Sequence, residues 1–143
     1  MKQDFRIPSI DRYGEVCMSL IENNVALLGL KGKKTVRALF DSGASYSCIR
    51  RDIAEEITQL DRLEEIIEFS TADEGASIIA DYVVHLSFYF SDSPRRFTDE
   101  FIVLDTLSED VLIGASTMQK WKIKLDFDRE EVQYDRKMHR LRI

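Results

Sequence analysis

The segment Ala38-Leu39-Phe40-Asp41-Ser42-Gly43-Ala44-Ser45 constrains this chain more than any other stretch. An apolar run reads as a buried strand, and Asp-Ser-Gly ends it in a turn. An Asp-(Ser/Thr)-Gly triplet arises by chance in roughly one chain in ten to twenty of this length; the apolar lead, the following alanine and a β-rich setting lower that to on the order of one in a hundred. Leu39 and Phe40 exclude water and lower the dielectric around the carboxylate, while Gly43 lets backbone approach backbone.

Composition allows a single core. The chain has 143 residues, 44% hydrophobic and 32% charged, with no low-complexity tract and no internal repeat. That length fits one compact domain, read as residues 15–143 after an arm over residues 1–14 that carries Pro8, Gly14 and scattered charges. A formal net charge of −6 gives no global attraction for a polyanion, so neither nucleic acid nor a membrane is an expected partner. The basic clusters Lys31-Gly32-Lys33-Lys34 and Arg136-Lys137-Met138-His139-Arg140 are short and read as solvated loops. Cys17 and Cys48 lack CxxC spacing and a neighbouring His cluster, which points to buried free thiols and no metal. With no signal-like leader and no 18-residue apolar span, the expected location is cytoplasmic.

Period-two alternation dominates the chain. Val16, Met18 and Leu20 share a face; Val25 to Leu30 and Thr35 to Phe40 form a hairpin around Lys31-Gly32-Lys33-Lys34. Ile49, Ile53, Ile57 and Leu60 recur at helical spacing and predict a short amphipathic helix through Cys48 to Ile57. Strands follow at Glu65 to Thr71 and Ser77 to Phe90, joined by Ala72-Asp73-Glu74-Gly75-Ala76. After the loop Ser91 to Arg96 come a strand at Phe97 to Leu104, a polar turn at Ser108 to Asp110, and the run Val111-Leu112-Ile113-Gly114. Met118 and Trp121 mark a second short helix, and Ile123 to Phe127, Val132 to Tyr134 and Leu141 to Ile143 read as closing strands. Met118, Trp121, Phe127 and Tyr134 are assigned to the core rather than to ligand contacts.

One chemistry suits a lone buried aspartate of this kind. Two carboxylates some 3 Å apart cannot both ionise, so they share a proton, one acting as base towards a water and the other as acid towards a carbonyl. If Asp41 is catalytic, the chain holds half of such a site, and function then requires a second copy to supply the other. Asp105-Thr106-Leu107 follows an apolar run in the same way, but Leu107 replaces the glycine that the close turn needs. A serine-nucleophile arrangement lacks partners, because His85 and His139 are the only histidines. Ser42 then reads as a hydroxyl brace between two turns.

Leu39-Phe40-Asp41-Ser42-Gly43-Ala44-Ser45 resembles the active-site turn of retroviral-type aspartic proteases, the retropepsin-like family, and Val111-Leu112-Ile113-Gly114 followed by Met118 resembles that family's second element. The resemblance spans about Val25 to Phe127. It implies a mostly β, closed antiparallel barrel with one or two short helices, acting as a homodimeric aspartic endopeptidase on protein or peptide substrates without cofactor or metal. Asp41 is then the catalytic residue, with Ser42, Gly43, Ala44 and Gly114 supporting it. Ser45 and the flap residues Ala72, Asp73, Glu74, Gly75 and Ala76 contact substrate. Two positions depart from the pattern: Ser116 stands where the family has Asp or Asn, and Ser45 where retroviral members often carry a second acid. The acidic flap resembles cellular and retroelement members more than viral ones. The alternative reading is a non-catalytic domain of the same fold that dimerises or binds extended peptides.

Overall fold

In the computed structural model, residues 9–10, 16–17, 20–70 and 77–137 are described, the first two pairs by their backbone strands alone. β1 (Ser9–Ile10) pairs antiparallel with β2 (Val16–Cys17). The rest of the expected arm, Met18, the expected flap Ala72 to Ala76 and the expected strand Leu141 to Ile143 lie outside the described residues.

β3 (Leu20–Leu28) and β4 (Lys33–Asp41) form the expected hairpin, in register from Leu20↔Asp41 to Leu28↔Lys33. Its turn is closed by the Gly29 N–H donating to the Gly32 carbonyl at 2.9 Å. Along β4 the burial alternates at first and then becomes continuous from Ala38 to Asp41. Strands whose two faces are both covered lose polar alternation, and here the two faces serve two cores. Val36, Ala38 and Phe40 belong to the larger cluster, whereas Leu39 joins a second one with Cys48, Leu104 and Leu112.

The remaining strands are β5 (Cys48–Arg50), β6 (Asp61–Ser70), β7 (Ser77–Tyr89), β8 (Phe97–Leu104), β9 (Val111–Ile113), β10 (Lys124–Asp126) and β11 (Glu131–Gln133). The main sheet runs β3-β4-β9-β5-β8-β7-β6, and an added β3–β7 pairing, Ala26↔Tyr89 to Leu28↔Ser87, joins its far strands. The sheet nearly closes into a ring, as a barrel requires. It is mixed: β4 with β9 and β5 with β8 are parallel, and the other pairings are antiparallel. β10 and β11 form a separate antiparallel hairpin.

Two short helices complete the fold, α1 (Arg51–Ile57) and α2 (Ala115–Trp121). The helical periodicity therefore begins later than its isoleucines suggest. Ile49 is fully buried in β5, between β8 and β9, so sheet pairing overrides the helical spacing at Cys48 to Arg50. Leu60 lies beyond α1 and packs on the large cluster from a loop. α2 ends at Lys122, whose left-handed conformation (φ 56°) directs its N–H back to Gln119 and Met118 carbonyls.

Aromatic rings bind the closing segment to the barrel. Phe40 stacks on Phe90 at 5.7 Å and Phe90 on Tyr134 at 4.2 Å, while Trp121 meets Phe97 edge-on. Met118, Trp121 and Tyr134 thus take the core positions expected of them. Phe127 does not: it is 40% exposed, just beyond the end of β10.

Candidate active site

Asp41 is the last residue of β4 and is fully buried (0% exposed), held between β3 and the covered strand β9. Its Oδ1 accepts the Gly43 N–H at 2.8 Å, and its carbonyl accepts the Ala44 N–H at 3.2 Å. A carboxylate that bonds the amide two residues on folds the chain into a tight Asx-type turn. The turn then rises to the surface, with Ser42, Gly43 and Ser45 exposed and Ala44 half-buried.

The second element meets this turn from below. β9 runs parallel to β4, Leu39↔Leu112 and Phe40↔Ile113, and so delivers Gly114 under the turn. The Ala115 N–H donates to the Ala44 carbonyl at 2.7 Å and the Ser116 N–H to the Ser45 carbonyl at 3.1 Å. Gly114 is needed for space: a Cβ there would stand 2.5 Å from the Tyr46 carbonyl oxygen and 3.0 Å from that of Ala44. Asp41, Ser42, Gly43, Ala44, Ser45 and Gly114, drawn from two distant segments, are thereby brought into one neighbourhood.

Two residues escaped the sequence reading. Ser47 and Thr117, 2% and 1% exposed, place their hydroxyl oxygens 2.6 Å apart, and Ser47 Oγ also accepts the Gly114 N–H at 3.0 Å. Both sit beside the recognised motifs, but a serine or threonine there reads as an ordinary turn residue until the two segments are superposed. Ser116, the position where the family pattern has an acid or amide, points its side chain to the surface instead.

A cleft of about 320 Å³ opens beside the turn, walled by Ala44, Tyr46, Cys48, Phe69, Leu104 and Leu112. Tyr46 and Phe69 meet edge to face at 5.7 Å. Phe69 and Ser70, the last residues of β6, line one wall of this cleft. Burial alone pushes the Cys48 thiol up to about 12, leaving it neutral in the wall. On the other side, Ser42 borders a groove of about 960 Å³ shared with Met118, Leu125 and Phe127. The rival aspartate, Asp105, is exposed and bonded to Arg51.

This arrangement is the retropepsin-like acid protease fold: a mostly β mixed sheet nearly closed into a ring, with an Asp-Ser-Gly turn seated on the glycine that follows a second strand. Residues 26–117 match the aspartyl protease family model, and the chain belongs to that family. Among solved structures, the crystal structure of the retroviral protease-like domain of Ddi1 from Leishmania major is similar, with a TM-score of 0.58 at 16% identity. The match covers 83% of this chain and 87% of that one. A comparison with curated protein sequences finds no match. Among the described residues, no helix is long and apolar enough to cross a membrane.

Proposed function

We propose that the protein is an aspartic endopeptidase, active as a homodimer in which Asp41 of each subunit meets its counterpart on a two-fold axis. The observation that carries this reading is the buried Asp41 carboxylate, fixed by the Gly43 N–H in a turn whose Ser42 borders the groove and whose Gly43 and Ala44 line the cleft. Residues 15–143 are taken as the protease domain and 1–14 as its arm.

In this reading the two carboxylates share one proton. The ionised member takes a proton from a trapped water, which attacks the scissile carbonyl; the protonated member donates to the carbonyl oxygen, and the same pair then returns a proton to the leaving amine. Ser42, exposed at the start of the turn, braces the pair across the two-fold, in keeping with its place on the apolar groove with Met118, Leu125 and Phe127. Gly43 and Ser45 contact substrate backbone in the cleft, and Ala72 to Ala76 cover it as a flap. The acidic flap, with Asp73 and Glu74, disfavours acidic substrates.

Asp41→Asn tests this directly with a peptide library at about pH 4–7, where shared-proton pairs operate. Cleavage by the wild type and none by the variant is expected, with dimers seen by sedimentation for both. Equal cleavage by the two proteins would leave a non-catalytic peptide-binding or dimerisation domain as the better reading.

A further inference from the structure

We propose that Ser47 and Thr117 are positioning residues, a buried hydroxyl pair that sets the height and angle of the Asp41 turn over the start of α2. The inference rests on the reading of Asp41 as the reacting carboxylate. Ser47 is where three elements meet. Its Oγ lies 2.6 Å from Thr117 Oγ1 and accepts the Gly114 N–H at 3.0 Å, and its carbonyl accepts the Ile102 N–H of β8 at 3.0 Å. Just before it, the Ala44 and Ser45 carbonyls are held by the first two amides of α2. A displacement of Ser47 therefore passes directly into the turn.

Both side chains are almost fully buried, and the Ser47 hydroxyl is shared between Thr117 and the Gly114 N–H, so losing it leaves a buried donor without its acceptor. Apolar packing is non-directional and tolerates sliding, whereas a hydroxyl pair shielded from water fixes distance and angle. Ser116 is exposed, whereas Thr117, one residue later, turns inward to meet Ser47.

The test compares wild type, Asp41→Asn, Thr117→Val, Thr117→Ser, Ser47→Ala and the double variant Ser47→Ala/Thr117→Val. Each is assayed for peptide cleavage, urea unfolding and amide hydrogen exchange. Ser47→Ala also strips the buried Gly114 N–H of its acceptor, so the double variant stays less stable than Thr117→Val, which keeps that bond. If the pair positions the turn, kcat stays about 10- to 100-fold down in Thr117→Val and in the double variant, with KM within about twofold. Thr117→Ser restores it. Amide exchange accelerates at Gly43, Ala44 and Gly114 but not at core residues such as Val84. Wild-type kcat in the double variant, or unchanged exchange at Gly43 and Gly114, overturns the proposal. If the wild type shows no Asp41-dependent cleavage, the protease reading fails instead, and the exchange rates alone decide the role of the pair. Should Thr117→Val not fold, Ser47→Ala and Thr117→Cys carry the same comparison.

Discussion

Gly114 and Tyr46 approach so closely that a methyl group on Gly114 would sit 2.5 Å from the Tyr46 carbonyl oxygen and 2.6 Å from its carbon. Gly114 has an ordinary extended conformation (φ −93°), so the constraint is contact and not backbone strain. Gly114→Ala must push the turn off β9. We expect it to cost about 1–3 kcal/mol in urea unfolding, and to lower cleavage further than the stability loss explains. A stable, fully active Gly114→Ala would show that the turn yields without harm.

Asp110 ties down the strand that carries Gly114. Its Oδ2 accepts the Arg37 N–H of β4 at 3.2 Å, its Oδ1 the Arg50 guanidinium at 3.3 Å, and its carbonyl the Arg50 N–H at 3.1 Å. Because the carboxylate is about one-third exposed, water offsets part of this gain. Asp110→Ala should lower stability by about 1 kcal/mol, with Asp110→Asn between it and wild type in urea midpoints.

Cys48 offers a readout of the second core. Burial raises its thiol from 9.0 to about 12, so the folded protein holds that proton more tightly than the unfolded chain. The resulting stability is fully present below pH 9.0 and disappears as pH rises towards about 12. In a Cys17→Ser background, alkylation at about pH 8 should follow the unfolded fraction along a urea series, since only thiolate reacts. Fast labelling of the folded protein would contradict the burial.

Asp92, Tyr134 and Arg136 clamp the segment after β11 to the loop after β7. The Tyr134 hydroxyl, and secondarily Arg136, hold the Asp92 carboxyl below its ordinary 3.8; burial and then Asp92 push the Tyr134 phenol up to about 12 from 10.0. A lowered carboxyl contributes stability above pH 3.8 that is lost as pH falls through its folded value; a raised phenol contributes below pH 10.0 and loses it towards 12. The stability gap between wild type and Tyr134→Phe should therefore be widest between these limits and narrow on both sides in pH-resolved urea unfolding. A gap that does not change with pH would assign Tyr134 to ring stacking alone.

Much of this architecture is readable in local pattern. The β3–β4 hairpin, the loop from Ser91 to Arg96 and the inward turn of Met118 follow from alternation and turn residues. Asp41 stands out because an acid after three apolar residues and before Ser-Gly is rare. The errors fall where tertiary pairing outweighs spacing. Ile49 fits a helix but is claimed by β8 and β9, and Phe127 looks like core but projects from a hairpin outside the main sheet.

The Asp-Ser-Gly turn and the strand-rich character of the chain are legible in the order of residues alone, because both depend on residues adjacent or two apart. The support beneath that turn comes instead from long-range packing. The parallel register of β4 and β9 places Gly114 beneath Tyr46, and it brings Ser47 to Thr117 across 70 residues of chain. No local periodicity encodes such a meeting. It exists because the sheet buries Leu39, Phe40, Leu112 and Ile113 together, and that burial sets which backbone groups face each other.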